Sequence, residues 1–195
     1  SYIMIGDKAM PVASPEAYPA VVVNDKLGAS SGSLLFDILR LKHGYTYGAY
    51  SSFTQGIYNN YFAARSSVQA TVTKESLALF RDILSGYGAE FSQAYLDQTR
   101  TALLRTMNGS FETPGALLGL LRDISIYGLS EDYPLQREKI LKEMTLEQAK
   151  AVIAKNIDFG KMVVVVVGDA KSQLSGVKAL NLGKVQLVDR DGKPL

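Results

Sequence analysis

Arg40 and Tyr47 stand seven residues apart in Leu39-Arg40-Leu41-Lys42-His43-Gly44-Tyr45-Thr46-Tyr47. A guanidinium and a phenol both carry hydrogen-bond donors. An apolar helical segment from Leu34 ends in a basic turn at Gly44 and passes into an aromatic, β-prone run, which places the pair near one helix-to-strand junction. Side chains at such junctions are readily aimed into a cleft. On pattern alone, Asp37 offers Arg40 an ordinary surface ion pair, and Tyr47 reads as an aromatic packed in a strand. His43 is the only histidine, so neither a hydrolytic zinc site with two or three imidazoles nor a His-dependent triad can be assembled from this chain. His43 itself reads as a solvated residue at a helix end, where the helix dipole favours it.

The elements that must position these residues fit into one sizeable domain of 195 residues, with 47% hydrophobic and 21% charged residues, an ordinary globular balance. The net charge of +2 is scattered, which gives no footprint for a nucleic acid or an anionic membrane. The longest strictly apolar run, Met162 to Val167, is too short to span a bilayer. No cysteine is present, which excludes disulfides, Cys-type zinc sites and a thiol nucleophile but leaves the compartment open. The chain opens at Ser1-Tyr2-Ile3 without an initiator Met, a basic segment or an apolar signal core, and reads as cut from something longer.

Tyr2 to Gly6 predicts a strand. Ser14-Pro15-Glu16 predicts the start of a helix that runs to about Leu27 with Tyr18, Val21, Val22 and Leu27 inward, stopped by Gly28. Ser33 is a candidate cap for the helix carrying Arg40. Tyr45, Tyr47, Ala49, Ser51 and Phe53 alternate on one face, as do Phe62, Ala64, Ser66, Val68, Ala70 and Val72, so two strands and a turn near Gly56 to Asn60 predict a hairpin. Thr73 is read as the cap of a helix with the stripe Leu77, Phe80, Ile83, Leu84 and Tyr87, closed by Gly86 and Gly88. Ser92 opens the next helix, with Leu96, Leu103 and Met107 buried. Thr113-Pro114 begins another, with Leu117, Leu121 and Ile124 inward, ending near Gly128. Thr145-Leu146-Glu147-Gln148 is a capping box, with Met144 and Ala149 as a hydrophobic staple. Met162 to Val167 reads as a strand covered on both faces. Leu182 to Leu195 looks like a tail, with a turn at Asp191-Gly192 and a short strand at Val185 to Val188.

This order makes a two-layer α+β domain, with helices packed on one face of a largely antiparallel sheet. Asn108-Gly109-Ser110 matches a glycosylation acceptor of the kind that arises by chance, and Gly115 and Gly119 have the spacing of close helix packing.

The Arg40…Gly44-Tyr45-Thr46-Tyr47-Gly48 segment, with its flanks, resembles the second-half signature of the pitrilysin/insulinase family of zinc metallopeptidases. Ile3-Met4-Ile5-Gly6, Ser14-Pro15-Glu16-Ala17-Tyr18, Val23-Asn24-Asp25-Lys26-Leu27-Gly28 and Leu35-Phe36 extend the resemblance over Tyr2 to Asp169. Two positions depart from it, Ala29-Ser30-Ser31 in place of a glycine-rich turn and Leu34 in place of a basic residue. The resemblance implies a processing-peptidase/LuxS-like metallohydrolase fold, with a second-half domain over 1–183 and a C-terminal tail over 184–195. It also implies a helper half, inactive alone, with no metal or cofactor of its own. Zinc is then expected in a similarly folded partner half bearing H-x-x-E-H, on the same polypeptide or as the other subunit of a heterodimer, with a peptide substrate enclosed between the halves. In that setting Arg40 and Tyr47 stabilise the oxyanion that forms on the substrate carbonyl, and Tyr45 and Gly48 contact the substrate. The alternative is a non-catalytic interaction domain of the same fold, like the core subunits of respiratory complex III. Nucleic acid and membrane are not among the expected partners.

Overall fold

The computed structural model describes every residue except Ser110 and the side chain of Asn108, so the Asn108-Gly109-Ser110 triplet lies partly outside the described residues. Ile3 and Ile5 alternate with Tyr2, Met4 and Gly6, which gives β1 (Tyr2–Lys8) one face for the core and one facing outward. β2 (Thr46–Phe53) and β3 (Tyr61–Val68) form the hairpin that alternation predicts, and β4 (Val163–Val167) returns from the far end of the chain to pair with β1. The strand order is β2-β3-β1-β4, and every neighbouring pair is antiparallel.

Among the described residues the α-helices are α1 (Ala17–Asn24), α2 (Leu34–Phe36), α3 (Thr73–Glu90), α4 (Gln93–Gly109), α5 (Pro114–Tyr127), α6 (Tyr133–Glu143), α7 (Leu146–Asn156) and α8 (Ala170–Ala179), and the core beneath the sheet draws side chains from all of them except α5. Among them, α3 carries the expected stripe of Leu77, Phe80, Ile83, Leu84 and Tyr87 into one core with Ile3, Ile5, Phe62 and Ala64. The capping box at Thr145 forms in both directions: its hydroxyl accepts from the Gln148 amide at 3.2 Å, and its own amide donates to the Gln148 side chain at 2.9 Å. Met144 and Ala149 are buried on either side of it as the staple.

Several expectations are corrected. Helix α1 starts at Ala17, because the Ser14 side chain and carbonyl accept from Glu16 and Ala17 in a preceding turn, and Gly28 does not stop it. The chain instead continues as a π segment over Asp25–Ala29. Ser33 stands at the N-cap of α2, yet its hydroxyl donates back to the Ser30 carbonyl. Ala70 and Val72 leave the β3 alternation for a 3₁₀ turn over Ala70–Val72, where the Thr73 hydroxyl bonds to Ala70 and Ser1 rather than capping α3. α3 then runs past Gly86 and Gly88 to Glu90.

Leu103 and Met107 are half-buried. In α5 the half-buried face is Leu120, Ile124 and Tyr127, whereas Leu117 and Leu121 face outward, Leu121 with 61% of its surface exposed. The helix is apolar on more than one side, and only packing selects which side is inward. α6 and α8 were not anticipated. β4 is an edge strand with helices on one side only, so Val163, Val165 and Val167 are exposed, Val163 at 67%, rather than covered on both faces. In the tail the expected strand is reduced to a single bridge between Val188 and Pro194 around the Gly192 turn. Among the described residues, no helix is long and apolar enough to cross a membrane.

Candidate functional site

Arg40 is carried by backbone wound more widely than an α-helix. After α2 the chain continues as a π segment over Asp37–Lys42, in which the His43 amide donates to the Ile38 carbonyl at 3.2 Å and the Tyr45 amide to the Leu39 carbonyl at 3.0 Å. Such segments are rare and occur frequently at functional sites. Gly44 then takes a left-handed conformation, at φ +67°, that a side chain would resist, and turns the chain into β2. Arg40 is exposed, and its partner among the described residues is the Phe36 ring, 4.8 Å beneath the guanidinium, not Asp37. The Phe36 ring in turn lies 5.9 Å from that of Tyr50. Gly48 leaves room for this arrangement, because a Cβ there would come within 2.6 Å of the Tyr50 ring.

Tyr47 does not share the inward face of Ala49 and Ser51. The register advances three residues on β2, from Thr46 to Ala49, against two on β3, from Val68 to Ser66, which marks a β-bulge. The bulge sets Tyr47 and Gly48 together opposite Ser67 and turns the Tyr47 side chain to solvent, 92% exposed. Thr46 holds the bulge in shape. Its hydroxyl lies 2.6 Å from the Ser67 carbonyl, accepts from the Gly48 amide at 3.1 Å, and sits 2.9 Å from the Ser66 hydroxyl. Gly48 thus has its backbone engaged, with its carbonyl also 2.9 Å from the Ser66 hydroxyl. Tyr45 is half-buried with its ring tilted against that of His43, centroids 5.1 Å apart, while its carbonyl accepts from the Gln69 amide at 3.1 Å.

Behind this surface, the Val23-Asn24-Asp25-Lys26-Leu27-Gly28 stretch fixes β2. Asn24 and Ser51 bond reciprocally in the buried interior, amide to carbonyl at 3.0 Å and hydroxyl to amide oxygen at 2.6 Å. A Cβ on Gly28 would meet the Ser51 backbone nitrogen at 2.3 Å, so only glycine allows the Asp25–Ala29 π segment to lie against the strand. Tyr87 donates to the Val23 carbonyl at 2.5 Å, and burial, then the charge of Asp25, push its phenol far above the usual tyrosine range. Burial also raises the Asp25 carboxyl, against the Thr99 hydroxyl at 3.0 Å and Lys26, which favour the charged form.

The geometry therefore gathers Tyr45, Tyr47 and Gly48 on one bulged strand start and presents Arg40 from the π segment that feeds it. Phe36, Tyr50, Thr46 and the Asn24–Ser51 pair do the positioning, a role that alternation along the sequence does not show because the bulge is held by Ser66 and Ser67 of β3. Among the described residues, no group of three or more His, Asp or Glu side chains converges as a metal site.

Residues 1–103 match the family described as the peptidase M16 inactive domain. Comparison with curated proteins by sequence finds no match. Among solved structures, the chain is similar to a peptidase M16 inactive domain from Pseudomonas fluorescens, at 26% identity and a TM-score of 0.76 over 84% of this chain and 39% of that one. It is also similar to the inactive peptidase domain of a candidate zinc protease from Bordetella parapertussis (11% identity, TM-score 0.71, 84% of this chain and 88% of that one). A chain of complex III2 from Candida albicans shares the fold as well (10% identity, TM-score 0.73, 93% of this chain and 46% of that one). The last two likenesses are of fold alone. The chain spans about two-fifths of the length of the Pseudomonas chain it matches.

Proposed function

Because the chain belongs to the peptidase M16 inactive-domain family, we propose that it works as the helper half of a zinc metallopeptidase, presenting Arg40 and Tyr47 to a peptide held against a zinc-bearing partner half. The metal of that other half supplies an activated water and polarises the scissile carbonyl. As the carbonyl becomes tetrahedral its oxygen gains negative charge, and the Arg40 N–H and the Tyr47 O–H donate to it. Tyr45 and Gly48 flank the two donors and contact the peptide; Gly48 does so by close approach, since its backbone groups are held by Thr46 and Ser66. The acting domain on this reading is 1–183, with 184–195 as a tail.

The observation that carries the reading is the exposure of Tyr47. A strand aromatic kept for packing would be buried, whereas this one is turned outward by a bulge built from Thr46, Gly48 and Ser66. Among the described residues, Arg40 likewise has no carboxylate partner of the kind a structural ion pair would give it. The likeness to complex III is one of fold and is shared by the scaffold reading, so support for the peptidase reading rests on the outward placement of the two side chains.

The test is reconstitution. The chain, mixed with a homologous half bearing H-x-x-E-H, is expected to associate with it and cleave a quenched fluorescent peptide, with neither half active alone. Failure to associate with such a half would favour the scaffold reading.

A further inference from the structure

The sheet face opposite the helical layer is largely uncovered, although Ala63 on it is buried and Tyr50 at its β2 end packs against Phe36. The registers place Tyr50, Arg65, Met4 and Val165 side by side across β2, β3, β1 and β4. The adjoining row runs from the Tyr47 bulge through Ser67 and Tyr2 to Val167, so this surface is continuous with the candidate site. Exposed valines and tyrosines in adjacent rows form a contiguous patch of the kind that marks a binding surface. Its charge is one-sided: the outward positions of the four paired strands include Arg65 and Lys8 but no Asp or Glu. Arg65 is exposed, and among the described residues it makes no hydrogen bond or ion pair. A guanidinium with donors to spare, seated between Tyr50 and Met4, is suited to bind a carboxylate from an extended chain lying over it. Strand addition along the β2 edge is obstructed at Ser51, whose carbonyl is taken by Asn24 and whose amide faces Gly28 at close range.

We propose that the peptide substrate lies across this face in extended form and that Arg65 selects an acidic side chain on it. The proposal rests on the peptide-handling reading above and adds a specificity-determining residue outside the Arg40 and Tyr47 pair. The probes are two fluorescein-labelled twelve-residue peptides that differ only in carrying Glu or Lys at three alternate positions. Binding is followed by anisotropy with the protein metal-free, so that nothing is cleaved.

The Glu peptide is expected to bind about tenfold more tightly than the Lys peptide, the worth of one charge-assisted contact. Arg65→Lys should keep the preference, Arg65→Gln abolish it, and Arg65→Glu reverse it; the Gln variant decides the matter if charge reversal unfolds the domain. Equal affinities in the unaltered protein, or an unchanged preference in Arg65→Gln, would overturn the proposal. So would concentration-dependent dimerisation that Arg65→Glu abolishes, because the face would then belong to a second copy. Tyr47→Phe should leave the peptide preference intact, so failure of the oxyanion reading, seen in kcat, is distinguishable from failure of this one.

Discussion

Asn24 and Ser51 exchange two hydrogen bonds in the buried interior, and through them the end of α1 grips β2, the strand that carries Tyr47. The Asn24 side-chain amide donates to the Ser51 main-chain carbonyl and its oxygen accepts from the Ser51 hydroxyl, so removing the hydroxyl leaves the buried Asn24 oxygen without that donor. Ser51→Ala should destabilise the domain by about 1–3 kcal/mol, read from urea unfolding midpoints at constant m-value. Unaltered stability would mean that the Asn24 side-chain oxygen finds another donor.

Gly28 and Gly48 should respond differently to the same added methyl. At Gly28 the Cβ would meet the Ser51 backbone nitrogen at 2.3 Å, and a strand cannot step aside cheaply. Gly28→Ala is expected to lower stability by about 1–3 kcal/mol, as overpacking does. At Gly48 the obstacle is the ring of Tyr50, at 2.6 Å, which can swing away. Gly48→Ala should therefore change the melting temperature less than Gly28→Ala while disturbing the Tyr50 and Phe36 rings on which the Arg40 guanidinium rests. A larger loss of activity than of stability in the assembled peptidase is the expected signature.

Asp25 sets a pH dependence with a definite sign. Burial raises its carboxyl in the folded state, so ionisation favours the unfolded chain. Both states hold the proton below the unfolded value of about pH 4, and the penalty develops as pH rises from there through the raised folded pKa. Asp25→Asn should thus be more stable than the unaltered protein at neutral pH, with the difference vanishing in acid. Denaturant midpoints from pH 3 to 8 measure it, and a difference that grows toward low pH would contradict the assignment.

The α3 stripe was legible in the sequence because a helix with one buried side writes its period into Leu77, Phe80, Ile83, Leu84 and Tyr87. The capping box at Thr145 was legible for the same reason, since its geometry is local. The Val163–Val167 run could not reveal its exposed side: valine at every position shows no alternation, and edge position depends on strand order, which is non-local. In α5, leucines on more than one side left the inward face undetermined. The Arg40 to Tyr47 spacing stood out, yet strict alternation put Tyr47 inward with Ala49, and the bulge that turns it outward depends on Ser66 and Ser67 from another strand. The two π segments lie against β2, and of their residues only Gly28 carries a local mark of that close approach.

The most direct measurement of the central claim is the steady-state kinetics of Tyr47→Phe in the assembled zinc peptidase, with Arg40→Ala beside it. An oxyanion donor acts mainly in the transition state, so each change should lower kcat by about 10²–10³-fold with little effect on KM. Because the Tyr47 ring is 92% exposed, removing its hydroxyl should leave the melting temperature unaltered. A Tyr47→Phe enzyme with full kcat would contradict the account.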